Sequence, residues 1–120
     1  MRRLVIRPFP RLDDVLGALG NRVGTSSWSG RNLHYCSTDE KDIPALEGLG
    51  RGDVITGREL LDSLPTLAIV IDGEFTATEG SGEPWVVLKA VDSTWLEVLS
   101  ADPGVLAAAR SRFEHAVESA

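Results

Sequence analysis

Cysteine and histidine are scarce in this sequence. Its 120 residues include one cysteine, Cys36, and two histidines, His34 and His115. One cysteine cannot form an intramolecular disulfide, and its isolation favours a reducing, cytoplasmic environment. A structural zinc site uses four ligands that usually include at least two cysteines, and the histidines lack the spacing of a catalytic metal site. We therefore expect neither a metal nor a cofactor.

Long apolar runs are also missing. The longest ones, residues 67–71 and 85–88, are far shorter than the roughly 20 residues of a membrane-spanning helix. Residues 1–8 contain too many arginines between their apolar residues for a secretory signal. An apolar fraction of 42% and a charged fraction of 25% are typical of soluble globular proteins. The sequence therefore predicts one soluble domain over residues 1–120, with no membrane association.

Basic residues are outnumbered and unevenly distributed. The chain has 12 Lys and Arg residues against 18 Asp and Glu residues, which gives a formal net charge of −6. Six of the basic residues are arginines within residues 1–31, where only two residues are acidic. A net-acidic chain repels the phosphates of DNA and RNA, so we expect no nucleic-acid partner. The acidic remainder is either a solvated surface or a face shaped for a basic protein partner.

Catalytic motifs are absent as well. The sequence contains neither a G-x-S-x-G nucleophile elbow nor a G-x-x-x-x-G-K-[ST] phosphate loop. The glycine-rich residues 48–53 resemble a dinucleotide fingerprint, but Asp53 occupies the third glycine position. Glu74 and Glu97 fit the polar positions of alternating strands more simply than a catalytic carboxylate pair. A binding protein is therefore favoured over an enzyme, and no residue receives a catalytic role.

Local patterns predict short strands and helices in the first half of the chain. Residues 3–9 are typical of a strand that ends at prolines. Apolar residues at i, i+3, i+4 and i+7 across residues 12–19 predict an amphipathic helix. Alternation across residues 31–37 predicts a second strand. Thr56 and Glu59 have the spacing of a capping box, which predicts a further short helix.

The second half predicts a β-meander followed by a helix. Asp72-Gly73 between two apolar runs is typical of a two-residue hairpin turn, since both central residues need positive φ. Residues 67–100 would then form two consecutive hairpins, the second one turning at Asp92-Ser93. Asp102-Pro103 suits the start of a helix over residues 103–117, whose apolar stripe includes Phe113.

Together these elements predict an α+β fold with a single layer of mostly antiparallel sheet. The sheet would consist of a C-terminal β-meander of about four strands plus one or two N-terminal strands. Two to three helices would cover it. The whole chain, residues 1–120, would form one domain.

The densest group of recognition side chains lies in residues 28–36. Trp28 is surrounded by Ser, Thr and Gly, which predicts an exposed loop over residues 25–30 and makes Trp28 a candidate interface anchor. The alternative is that Trp28 folds back against the core. The candidate binding residues are therefore Trp28, Arg31, His34 and Tyr35.

Two further pairs of residues attract attention in the predicted strands. His34 and Cys36 lie two positions apart, which permits a thiol–imidazole pair, although isolated residues of these types are more often structural. Trp85 and Trp95 lie on adjacent predicted strands, so we expect them to meet across the hairpin as part of the core.

Three functions stay open. The first is a non-enzymatic protein-binding module, an inhibitor-like or antidote-like acidic protein with a basic protein partner. The second is a domain that binds or converts a small anionic ligand in a pocket between sheet and helices, lined by Trp28, Arg31, His34 and Tyr35. The third is a self-associating subunit that pairs through an exposed edge strand.

Overall fold

Seven antiparallel strands form one open sheet in the computed structural model, which describes residues 1–37, 44–63, 67–80 and 82–119. The strands are Arg2–Ile6 (β1), Ser27–Ser37 (β2), Ile55–Thr56 (β3), Leu67–Thr78 (β4), Pro84–Val91 (β5), Trp95–Ser100 (β6) and Val117–Ser119 (β7). The helices are Leu12–Leu19 (α1), Arg22–Thr25 (α2), Pro44–Gly50 (α3), Gly57–Ser63 (α4) and Pro103–Arg112 (α5). Across the sheet the strands follow the order β3-β2-β4-β5-β6-β1-β7.

This architecture confirms the predicted α+β fold with a single antiparallel sheet. β4, β5 and β6 form the meander, while β2 extends it beside β4 and β1 extends it beside β6. The described helices number five instead of two or three. α1, α4 and α5 correspond to the predicted helices, and the difference comes from α2 and α3, which have only 4 and 7 residues. None of the described helices is long and apolar enough to cross a membrane.

Several local predictions are confirmed in atomic detail. The Thr56 hydroxyl accepts a hydrogen bond from the Glu59 backbone N–H at 3.1 Å and donates to the Glu59 carboxylate at 3.3 Å, so the capping box begins α4. The Asp102 carboxylate accepts a backbone N–H from the first turn of α5 at 2.8 Å. Asp92 and Ser93, both with φ of 51°, turn the chain between β5 and β6.

The predicted hairpin at Asp72-Gly73 is wrong, because β4 continues through both residues. Gly73 has a φ of 137°, and a Cβ placed on it would lie 2.5 Å from Cδ2 of Leu33. Glycine is required here because the Leu33 side chain packs against the backbone of β4, where the register between Arg31 and His34 is irregular. Glycine occurs at this position because two strands approach closely, and not because the chain turns.

The predicted helix over residues 103–117 is too long. α5 ends at Arg112, and the half-buried Phe113 follows as its C-cap. A hydrogen bond of 3.1 Å from the Ala116 N–H to the Phe113 carbonyl then turns the chain into β7, which pairs with β1. Val117 consequently leaves the apolar stripe and is 64% exposed. The pairing of β7 with β1 decides the structure of this segment, and no local sequence pattern predicts that pairing.

The helices cover one face of the sheet. Along β5, Val86 and Leu88 are buried, whereas Val87 and Lys89 between and beside them are not. Since successive side chains of a strand point to opposite faces, only one face of β5 is covered. The buried residues of α1 and α5 share one hydrophobic core with those of β1, β5 and β6.

Trp28 lies in this core, so the predicted exposed loop is wrong. α2 ends at Thr25 and β2 begins at Ser27, which leaves one residue between them. The Trp28 side chain is fully buried, and its indole N–H donates to the carbonyl of Val23 at 3.0 Å. Its polar neighbours misled the prediction, because Ser27 and Ser29 alternate with Trp28 along a strand and face the other way.

Trp28 packs against Trp85, which corrects the expected pairing of Trp85 with Trp95. The two rings meet edge to face with centroids 6.4 Å apart. The Trp85 indole N–H donates to the Ser26 hydroxyl at 2.8 Å, and this hydroxyl donates to the Arg22 carbonyl at 2.6 Å. The Arg22 guanidinium covers the Trp85 ring, 4.4 Å from its centroid. These contacts hold α2 against β2 and β5.

We expect Trp28→Ala to lower the free energy of unfolding by about 3–5 kcal/mol, because it leaves a cavity in the core. Trp95→Ala, at a half-buried position on the other face of the sheet, is the matched control and should lose clearly less. Urea unfolding followed by circular dichroism measures both changes. Equal losses would contradict the core position of Trp28.

Two glycine-to-alanine changes should have opposite effects. Gly17 lies in α1 with nothing near its missing Cβ, so Gly17→Ala should stabilise the protein by about 0.5–1 kcal/mol through helix propensity. At Gly57 the new Cβ would lie 1.7 Å from the Val23 carbonyl oxygen, so Gly57→Ala must force α2 and α4 apart. Thermal unfolding should show a higher Tm for the first variant and a strongly lower Tm for the second. An unchanged Tm for Gly57→Ala would rule out the close packing of these helices.

Candidate functional site

The four residues predicted to form a site lie in two different environments. Trp28 belongs to the hydrophobic core, and Tyr35 is half-buried against it. Arg31 and His34 are exposed on β2, where Arg31 lies opposite Glu74 of β4. The structure therefore keeps Arg31 and His34 on the surface without surrounding one pocket with all four. A binding role for these two residues stays a prediction.

The proposed pair of His34 and Cys36 also stays a prediction. The side chain of Cys36 lies outside the described part of the structure, while His34 is exposed. Among the described residues, no group of three His, Cys, Asp or Glu side chains is arranged to hold a metal ion.

The candidate functional surface is the face of the sheet opposite the helices, which we call the open face. Its side chains alternate with core residues along the strands and lie beside one another in register. They are Arg3, Val5 and Arg7 from β1 and its end, Arg31 from β2, Glu74 and Thr76 from β4, Val87, Lys89 and Val91 from β5, and Trp95, Glu97 and Leu99 from β6.

Five apolar side chains, which we call the apolar band, lie on the open face, with Lys89 and Glu97 between the two pairs on β5 and β6. Val87 lies directly opposite Leu99, and Val91 lies directly opposite Trp95. These four side chains and Val5 are only half-buried. The outward positions of a solvated antiparallel sheet are normally polar. An apolar band in these positions is therefore a feature that folding of the chain alone does not require.

Glu97 orders the centre of the open face. Although it is charged, it is only 8% exposed. One carboxylate oxygen accepts a hydrogen bond from Arg3 at 3.4 Å, and the other accepts the indole N–H of Trp95 at 3.0 Å. Arg3 also donates to the Ser119 hydroxyl at 3.2 Å. A buried carboxylate needs such partners, and in return it fixes the positions of Trp95 and Arg3.

Trp95 has the guanidinium group of Arg7 above its ring. The guanidinium carbon of Arg7 lies 4.5 Å from the ring centroid, which is a cation–π contact. The indole is thus held between a hydrogen bond to Glu97 at its edge and Arg7 on its face. This arrangement presents an immobilised aromatic ring and a guanidinium group at the same place on the surface.

Charges alternate along one row of the open face. Arg31, Glu74, Lys89 and Glu97 lie side by side in register across β2, β4, β5 and β6. Opposite charges on neighbouring strands stabilise pairing by about 0.2–1 kcal/mol for each pair. The row therefore contributes to sheet stability and leaves its basic groups on the surface.

The open face is basic, although the whole chain has a net charge of −6. Its two carboxylates, with Asp72 at the margin, are outnumbered by the basic groups Arg3, Arg7, Arg31 and Lys89. Acidic side chains are found instead on the helices, including α1 and α4. The expectation of a basic partner was drawn from the acidic residues after residue 31 as a whole and stays a prediction.

A pocket of about 300 Å³ lies where the open face meets the edge strand β7. It is lined by Val5, Arg7, His115, Val117 and Ser119. Val5 and Val117 are directly opposite each other in the pairing of β1 with β7. The pocket thus combines an apolar wall with a guanidinium, an imidazole and a hydroxyl group.

Sequence reasoning missed the residues that matter most on this surface. Arg7 was assigned to the end of a strand, Trp95 to the core and His115 to the last helix. What brings them together is the pairing of β1 with both β6 and β7. The only local signal was the excess of arginine at the start of the chain, which is now partly explained by the basic open face.

No family model, curated protein or solved structure matches this chain. Its candidate function therefore rests on the chemistry of the open face and of the pocket at its edge.

Proposed function

We propose that the protein is a non-enzymatic protein-binding module and that its open face docks a partner with apolar and acidic side chains. The observation that carries this proposal is the band of half-buried apolar residues, including Val87, Trp95 and Leu99, on the face of the sheet opposite the helices. A surface that combines apolar side chains with polar groups is typical of protein interaction sites.

Energetics supports a partner that covers this band. Complete burial of a Val or Leu side chain contributes about 1.5–3 kcal/mol, and the open face leaves part of this contribution unused in the free protein. The band lies on paired strands, so its side chains are held in place before binding. A preformed surface loses little conformational entropy on association, which increases the net affinity.

Charge supports an acidic partner for the open face. Lys89 and Arg31 are exposed there, and Arg7 lies above Trp95 at the edge. Carboxylates on a partner would complement these groups and would raise the association rate and the specificity. Trp and Arg side chains are also the residue types most often found to dominate interface energetics.

The chemistry of the open face suits recognition better than catalysis. Its cations are guanidinium groups and an ammonium group, and a guanidinium stays protonated at neutral pH. Glu97, the most buried carboxylate on this face, is already bound by Arg3 and Trp95. A general acid or base needs a group that exchanges a proton near the working pH. Hydrogen-bond donors and apolar surface are what this face offers to a partner.

Val87→Glu is the variant that tests this proposal. It places a carboxylate opposite Leu99 in the apolar band, where an acidic partner would be repelled. Leu61→Glu is the matched control, because Leu61 is an exposed apolar residue on α4, away from the open face. Affinity capture from the native host with wild type and both variants identifies the partner, and calorimetry with the purified partner measures the affinity.

We expect wild type and Leu61→Glu to bind with the same affinity and Val87→Glu to bind at least ten-fold more weakly, a loss of about 1.4 kcal/mol or more. Circular dichroism of both variants verifies that they are folded. Equal binding by Val87→Glu and wild type would contradict the proposal, as would a loss with Leu61→Glu alone. Failure of all three proteins to retain a partner would also count against it.

A further inference from the structure

The pocket at the edge of the open face has features of a binding site for one chemical group. Its wall is apolar, since Val5 is half-buried and Val117 is 64% exposed. Its polar groups are the side chains of Arg7, His115 and Ser119. A pocket with an apolar wall and a few convergent polar groups is the usual form of a specific small site.

Arg7 is the cation in this pocket that is free to bind an anion. Among the residues that the structure describes, Arg7 has no ion-pair partner, whereas the nearby Arg2 and Arg3 are paired with Glu118 and Glu97. Contact with Trp95 holds the guanidinium in place. A guanidinium group has five N–H donors and matches a carboxylate with two parallel hydrogen bonds.

Ser119 and His115 provide further donors. The Ser119 hydroxyl accepts a hydrogen bond from Arg3 at 3.2 Å, so its own hydrogen is free to point elsewhere. His115 lies in the turn between α5 and β7 and is exposed. An imidazole has an N–H donor in either protonation state. Together with Arg7, these groups are sufficient for the two oxygens of one carboxylate.

We propose that this pocket binds a carboxylate group on a short apolar chain, supplied by an acidic side chain of the partner. The carboxylate contacts Arg7, which lies over the Trp95 ring, and its methylene groups cover Val5 and Val117. This inference rests on the proposed function, because the acidic partner is the source of the group. It adds the anchor point that fixes the register of the partner on the open face.

Titration followed by NMR tests the pocket without a known partner. The probes are sodium butyrate and a capped Ala-Glu-Ala tripeptide, and the controls are butanol, sodium phosphate and the capped Ala-Gln-Ala tripeptide, all at constant ionic strength. Two N–H groups serve as reporters: the indole N–H of Trp95, whose ring contacts Arg7, and the backbone N–H of Val117, which lines the pocket. Loss of one indole signal in Trp95→Phe assigns the first reporter.

We expect saturable shifts of both reporters with butyrate and with the Glu tripeptide, with dissociation constants of about 1–10 mM as befits so few contacts. Butanol, phosphate and the Gln tripeptide should bind at least ten-fold more weakly. Arg7→Gln should weaken butyrate binding at least ten-fold. Arg58→Gln, which removes an exposed arginine of α4, is the matched control and should leave binding unchanged.

Three results would overturn the inference: shifts that do not saturate, shifts of equal size with butanol or phosphate, and unchanged binding by Arg7→Gln. If butyrate binds and the Glu tripeptide does not, the pocket is a carboxylate site, but an acidic side chain of the partner is not the source of the carboxylate. If butyrate binding saturates while Val87→Glu binds the partner as tightly as wild type does, the pocket stands and docking on the open face is rejected. If Val87→Glu loses the partner and Arg7→Gln binds it as wild type does, docking on the open face stands and the pocket is not the anchor point.

Discussion

A sheet has two faces, and the described helices of this chain cover only one of them. Along β5 the consequence is visible residue by residue, because Val86 and Leu88 are buried while Val87 and Lys89 are not. Chains with one covered face normally make the other face polar. Here the uncovered side keeps an apolar band that includes Leu99. This one-sided coverage is the constraint from which the open face, its charge pattern and its proposed partner all follow.

Glu97 connects the packing of the sheet with the chemistry of the open face. Its nearly buried carboxylate accepts hydrogen bonds from Arg3 and Trp95, and Trp95 in turn lies under Arg7. This chain of contacts joins β1 to β6 and ends at the pocket formed with Ser119 of β7. One charged group therefore stabilises the sheet and also sets the geometry of its exposed edge. The same contacts give a structural role to two of the arginines near the start of the chain, Arg3 and Arg7.

Local chemistry was predictable from sequence, whereas long-range pairing was not. The capping box of Thr56 and the turn at Asp92 depend on residues a few positions apart, and both were predicted. Gly73 was read as a turn because its real constraint, the Leu33 side chain of another strand, is invisible locally. For the site, Arg31 was named as a candidate binding residue, but the pocket at Arg7 was not predicted. It exists only because β1 pairs with strands from the far end of the chain.

We expect the partner to cover the open face and not the helices. Carbene footprinting of the complex, read out by mass spectrometry, measures this most directly. Labelling of Val87, Val91, Trp95 and Leu99 should fall when the partner is bound, while labelling of exposed residues on α1 and α4 should stay the same. Protection confined to the helices, with unchanged labelling of the apolar band, would contradict it.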